Sequence, residues 1–150
     1  MAQEPSPPRA AAGASGPGVV QLVWRPAYAC GNALIDQQHQ DLFVHANALL
    51  AAMLADKPVA EIAACIDRLI AQVVEHFRDE EAILAEAGFA DFESHAVLHR
   101  QLTDRAAELA NLFQQEKLGL GELFQFLAND VVARHMLVED RKFFPLFASA

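Results

Sequence analysis

Cysteine is nearly absent from this 150-residue chain, which has Cys30 and Cys65 and no others. Two cysteines outside any ligand motif cannot build a disulfide scaffold, so the expectation is reduced thiols in a cytoplasmic protein. Helix breakers are also scarce. Beyond Gly31 the chain has only Gly88, Gly119, Gly121, Pro58 and Pro145, which favours long helices. Basic residues are in deficit, 11 Lys and Arg against 20 Asp and Glu, for a net charge of −9. That balance argues against a nucleic-acid backbone or an anionic membrane as partner. No run approaches the ~18 apolar residues a transmembrane helix needs. A basic start followed by an apolar run, the mark of a signal peptide, is missing as well.

What is present divides in two. Residues 1–18, "MAQEPSPPRAAAGASGPG", are rich in Pro, Ala, Gly and Ser without apolar periodicity, and are expected to form a disordered tail. Residues 19–150 are expected to form one domain, long enough for a sizeable core. After the irregular lead-in "QLVWRPAYACGN", helical periodicity predicts four helices. The first starts at Asp36 as N-cap and runs to about Ala55, with stripe His39, Leu42, Phe43, Ala46, Leu49, Leu50 and Met53. The second spans about Pro58 to Glu86, with stripe Ile62, Ile66, Leu69, Val73, His76, Glu80 and Ile83. The third covers about Phe92 to Lys117, with His95, His99, Leu102, Ala106, Leu109 and Phe113. The fourth covers about Glu122 to Phe143, with Phe124, Ala128, Val131, His135 and Val138. Connections of a few residues make this an all-α, up-down-up-down antiparallel four-helix bundle with an irregular N-terminal arm.

The stripes contain residues that packing alone would not choose. His39, His76, Glu80, His95, His99 and His135 stand where Leu or Ile belongs. A single core histidine is ordinarily a hydrogen-bonded packing residue. Six polar groups in one core are different, because each left without a partner costs ~1–3 kcal/mol against a marginal total stability. A shared metal is the natural partner. His76 and Glu80 are i,i+4, as are His95 and His99, so each pair projects from one helix face. Imidazole mixed with carboxylate, without thiolate, suits iron or zinc better than magnesium or calcium. His45 lies at the stripe's edge and reads as an ordinary boundary residue.

With "LIDQQHQDLF", "HFRDEEAIL", "HAVLH" and "HMLVED" in this order on four helices, the chain from about residue 22 to 147 resembles the hemerythrin family, in particular single-domain bacterial hemerythrins. The resemblance implies a non-haem di-iron centre held by His39, His76, His95, His99 and His135, with Glu80 and Asp140 as bridging carboxylates. Asp140 follows His135 by five residues, which an ideal helix places about 140° away. Glu139 at i+4 is better placed on that count. An undisturbed register would, however, send Lys142 to the core and Phe143 aside. One extra residue, as in a π-bulge, aligns Asp140 and returns Phe143 and Phe147 to the core. Glu139 and Glu81 are then expected to face solvent.

The resemblance further implies that His95, His99 and His135 saturate one iron, while His39 and His76 leave the other with an open position. Two six-coordinate irons with these ligands and a bridging oxo or hydroxo group fill all their positions but one. Such a site binds O2 end-on, as peroxide, without substrate chemistry. Oxygen storage, transport or delivery by a non-enzyme is therefore the expected function, with a recipient oxygenase as an unidentified partner and small anions such as azide as ligands of the oxidised form. A ferritin-like oxidase is the main competitor, but it uses Glu-x-x-His pairs, and this chain has none. One departure stands out. Relatives commonly carry Trp-Leu where this chain has Val131 and Val132. With Phe77 these should line the open position as a roomier, wetter pocket, which keeps peroxide or nitric oxide chemistry, or O2 sensing, as alternatives.

Overall fold

The computed structural model describes residues 21–148, so the tail expected over 1–18 lies outside the described residues. Three long helices, α1 (Ala33–Leu54), α2 (Val59–Glu86) and α3 (Phe92–Gln114), are followed by a fourth helix in three stretches. Leu120–Gln125 is α-helical, Phe126–Glu139 is π-helical, and Asp140–Leu146 is a 3-10 helix. No helix among the described residues is long and apolar enough to cross a membrane.

Local chemistry explains the boundaries. The cap of α1 is Asn32, whose side-chain oxygen accepts from the backbone N–H of Leu34 and Ile35, both at 3.1 Å. Asp36, expected as the cap, sits inside the first turn and reaches back to accept from Cys30 and Gly31 at 2.7 and 3.1 Å. Gly31 has φ +103°, and a Cβ there would stand 2.7 Å from the Phe147 carbonyl oxygen, so only glycine fits. Each long helix ends in the same way. The next residue but one turns left-handed and its neighbour's N–H returns to the last turn, as in Lys57 to Ala52, Phe89 to Leu84 and Lys117 to Leu112. The left-handed residues are Asp56, Gly88 and Glu116. Two of the three are not glycine, which is why the end of α3 falls earlier than the expected Lys117.

The bundle alternates direction, and its core is layered as a result. At one end Leu49, Leu50, Ile66, Leu69, Leu109 and Leu127 belong to a large apolar cluster. At the other, Cys30, Ile35, Leu84 and Phe143 form a smaller one. Between them lies a layer of histidines and carboxylates. Along α1 the order runs Ile35, His39, Leu49; along α2 it reverses to Leu69, His76, Glu80, Leu84. Both cysteines are buried and unpaired. The irregular arm is pinned by Asn47, which exchanges two hydrogen bonds with the Leu22 backbone, and by Trp24 packed edge-on against Phe43.

The fourth helix departs from the expected stripe. Val138, predicted inward, is 55% exposed, whereas Phe126, Leu127, Met136 and Phe143 are buried. The cause is the π-helical register. A wider turn moves the inward face later with each turn, so a stripe drawn at 3.6 residues drifts off it. Phe143 is fully buried, with Phe147 against it at a centroid distance of 6.0 Å, as the extra-residue reading requires.

Candidate metal centre

All seven residues expected as ligands lie in the middle layer, and each is at least nine-tenths buried. His39 comes from α1, His76 and Glu80 from α2, His95 and His99 from α3, and His135 and Asp140 from the fourth helix. The N–H of Asp140 bonds to the carbonyl of His135, five residues back, and this wide turn swings its carboxylate inward. Glu139 points away and pairs with Lys142 at 2.8 Å.

The two carboxylates divide their oxygens between two sets of histidines. Glu80 Oε1 stands 2.8 Å from His95 Nε2 and 3.2 Å from His99 Nε2, while Asp140 Oδ1 stands 3.0 Å from His135 Nε2. The other oxygens face the remaining pair. Glu80 Oε2 lies 2.9 Å from His76 Nε2 and 3.4 Å from His39 Nε2, and Asp140 Oδ2 lies 3.3 Å from His39 Nε2. Two donor groups follow, one of Glu80, His95, His99, His135 and Asp140, the other of His39, His76 and Glu80. Glu80 belongs to both.

These atoms converge without satisfying one another. Glu80 Oε2 and both Asp140 oxygens are buried and make no hydrogen bond, despite nitrogens close by. His99 Nε2 and His135 Nε2 face each other at 3.1 Å, where at most one can carry a proton usefully. Buried acceptors cost free energy unless satisfied, and cations placed between the two sets would satisfy all of them together. The residues present therefore fit a metal pair.

Without metal, protons take that role. Burial disfavours the His39 imidazolium, but Asp140 and Glu80 outweigh it and raise its pKa to about 10. The same balance lifts His95 to about 9. Burial holds His76 down, so it stays neutral. Burial would also raise both carboxylates, yet the surrounding histidines keep Glu80 and Asp140 well below the usual range.

An apolar cavity of about 60 Å³ adjoins the site, running from His39, His76 and His135 along the core towards Leu118 and Leu123. Phe77, Val131 and Val132 line it, and Phe77 also stacks on His99 at 3.8 Å between ring centroids. Apart from those three histidines every lining residue is apolar.

Two polar partners of the histidines escaped the sequence reading. His76 Nδ1 meets Gln38 Oε1 at 2.8 Å, and Gln38 in turn donates to Asp79 at 2.8 Å. Gln38 is buried, three residues after Ile35 and four before Leu42, and that inward spacing was the available signal. Glu81, expected to face solvent, instead meets His99 Nδ1 at 3.3 Å with its side chain 29% exposed. Nothing in the spacing marks Glu81. His45 is half-buried and belongs to neither donor group.

Residues 30–147 match the family described as the hemerythrin HHE cation binding domain. The chain belongs to the hemerythrin family. The bacteriohemerythrin of Methylococcus capsulatus is 26% identical over 129 residues, which cover 85% of this chain and 98% of the relative. That of Campylobacter jejuni is 26% identical over 113 residues, or 74% and 84% of the two chains. A wild-type hemerythrin crystal structure superposes with a TM-score of 0.76 at 26% identity, covering 87% of this chain and 100% of the other. Hemerythrin membership, the four-helix bundle and the His/Glu/Asp cluster together support an iron-binding, di-iron protein.

Proposed function

We propose that this hemerythrin binds O2 reversibly at two irons and serves oxygen storage, transport or delivery in the cytoplasm, as a carrier and not an enzyme. The observation that carries the proposal is the split of each carboxylate between the two histidine sets. Glu80 and Asp140 would be shared between the irons through their divided oxygens, with His95, His99 and His135 as further donors to one and His39 and His76 to the other. When bound, the iron pair supplies an open coordination position and the electrons for O2 binding. The set with fewer histidines, His39 and His76, lies against the apolar cavity, and O2 would reach the irons from that side.

The surrounding residues favour a carrier. Phe77, Val131 and Val132 wall the cavity with hydrocarbon, which admits a small apolar gas and excludes the water and protons that would promote oxidation. No polar side chain besides the histidines reaches into it to orient a larger substrate or to act as acid or base. Nitric oxide is equally small and apolar, so its scavenging is the second reading, and hydrogen peroxide fits the same walls poorly. Azide, entering the oxidised protein, would report on the same position. Residues 19–150 would form the functional domain, with 1–18 dispensable.

The test is an optical spectrum of anaerobically reduced, iron-loaded protein before and after air. A visible charge-transfer band that appears with O2 and disappears on its removal supports the carrier. Irreversible oxidation without such a band, or about one zinc per chain after production with ample iron, would overturn it.

A further inference from the structure

The two halves of the site differ in what holds their histidines from behind. His76, in the two-histidine half, is backed by a neutral amide, and His99, in the three-histidine half, by a carboxylate. The amide's orientation is fixed. Asp79 Oδ2 accepts only, so Gln38 Nε2 must donate to it at 2.8 Å, and Gln38 Oε1 is left to face His76 Nδ1. That oxygen accepts only as well. His76 Nδ1 therefore carries the proton and Nε2 keeps its lone pair for the site. Glu81 imposes the same tautomer on His99, but with a carboxylate oxygen in place of an amide oxygen. Among the other histidines, His39 Nδ1 and His135 Nδ1 have no partner.

We propose that Gln38, oriented by Asp79, and Glu81 are positioning residues that fix the tautomers of His76 and His99 and make the two irons electronically unequal. A carboxylate accepting from Nδ1–H shifts electron density towards Nε2 and strengthens it as a donor, favouring the ferric state. An amide does so less. The iron held by His95, His99 and His135 therefore has the lower potential, and the iron beside the cavity stays ferrous more readily. This inference rests on the two-iron reading given above.

The experiment compares the full chain with Glu81→Gln, Gln38→Glu and Asp79→Ala. It measures anaerobic Fe(II) affinity by chelator competition, the two one-electron potentials of iron-loaded protein, and the histidine N–H proton resonances of zinc-loaded protein. Glu81→Gln should raise one potential and leave the other, and Gln38→Glu should lower the other. A tenfold change in a ferric/ferrous ratio reads as a shift of about 59 mV. Asp79→Ala frees the amide to rotate and should weaken one of two Fe(II) sites ~10–100-fold. The Glu81→Gln exchange should move one N–H resonance upfield. If wild-type protein takes two irons and Glu81→Gln and Gln38→Glu shift both potentials equally, or neither, the inference is wrong. A wild-type chain that takes fewer than two irons would instead overturn the two-iron reading.

Discussion

The second and fourth helices each deliver one histidine and one carboxylate to the same buried layer, yet they do so by different geometry. In α2 the pair is His76 and Glu80, four residues apart on a regular α-helix. In the fourth helix it is His135 and Asp140, five apart across a π-helical turn. Regular helix delivers the first pair through local spacing alone. The second requires that a wider turn be stable, which depends on Phe143 and Phe147 finding the apolar cluster beyond the site. The same chemistry thus rests on local periodicity in one helix and on tertiary packing in the other.

The sharpest way to break this comparison is at the carboxylates. Asp140→Ala should abolish binding of the second iron, as Glu80→Ala should, whereas Glu139→Gln should retain two irons per chain by elemental analysis. Iron lost with Glu139→Gln and kept with Asp140→Ala would return the fourth helix to the spacing of α2.

Packing tests the wide turn next. Phe143→Ala should cost ~3–5 kcal/mol in denaturant unfolding, since Phe143 is fully buried. Val138→Ala should change stability by less than ~0.5 kcal/mol, since Val138 is 55% exposed. An ordinary α-register predicts the reverse order.

A smaller effect concerns pH. His39 and His95, with pKa values of about 10 and 9, hold protons at neutral pH in metal-free protein. Iron must displace them, so Fe(II) affinity should rise with pH through neutrality and level off above pH 9 to 10. Unbuffered metal-free protein should release protons on loading. The sign for stability is opposite, because a raised histidine pKa stabilises the metal-free fold below its unfolded value and that contribution is lost as pH climbs through the folded one. Metal-free protein should thus lose the contribution of these two histidines across the range in which it gains iron affinity.

Filling the cavity sharpens the comparison from the side of the fourth helix. Val132→Leu, alone or with Val131→Trp, should slow azide binding to oxidised protein in stopped flow and lengthen the lifetime of the oxygenated spectrum, provided the added volume is accepted. Unchanged rates in a variant with two irons would place the ligand's path elsewhere. Least of all, removal of residues 1–18 should leave iron loading and melting temperature nearly unchanged.

Much of this was legible in the residues themselves. Histidines and a glutamate at i,i+4 on apolar stripes announce a buried polar layer, because uncompensated burial is too costly to be accidental. The bundle, three of its four inward faces and the five histidines and Glu80 on the stripes follow from periodicity, while their assignment as a di-iron ligand set is what the family resemblance implies. Asp140 was readable only with Phe143 and Phe147 beside it, as the apolar residues betray the shifted register. The extent of that shift was not readable. A single bulge and a π-helix of 14 residues leave similar traces near His135 but differ at Val138 and Met136.

By itself, the sequence determined helix placement, the buried polar layer and the net acidic charge, since each depends on neighbours three to five residues apart or on composition. Tertiary structure alone decided which carboxylate oxygen faces which histidine, that Gln38 and Glu81 stand behind His76 and His99, and that an apolar cavity adjoins the site. Those facts depend on residues distant in sequence meeting across helices, as Gln38 meets His76 and Asp79 and Glu81 meets His99, and no local pattern encodes the rotation at which two helix faces meet.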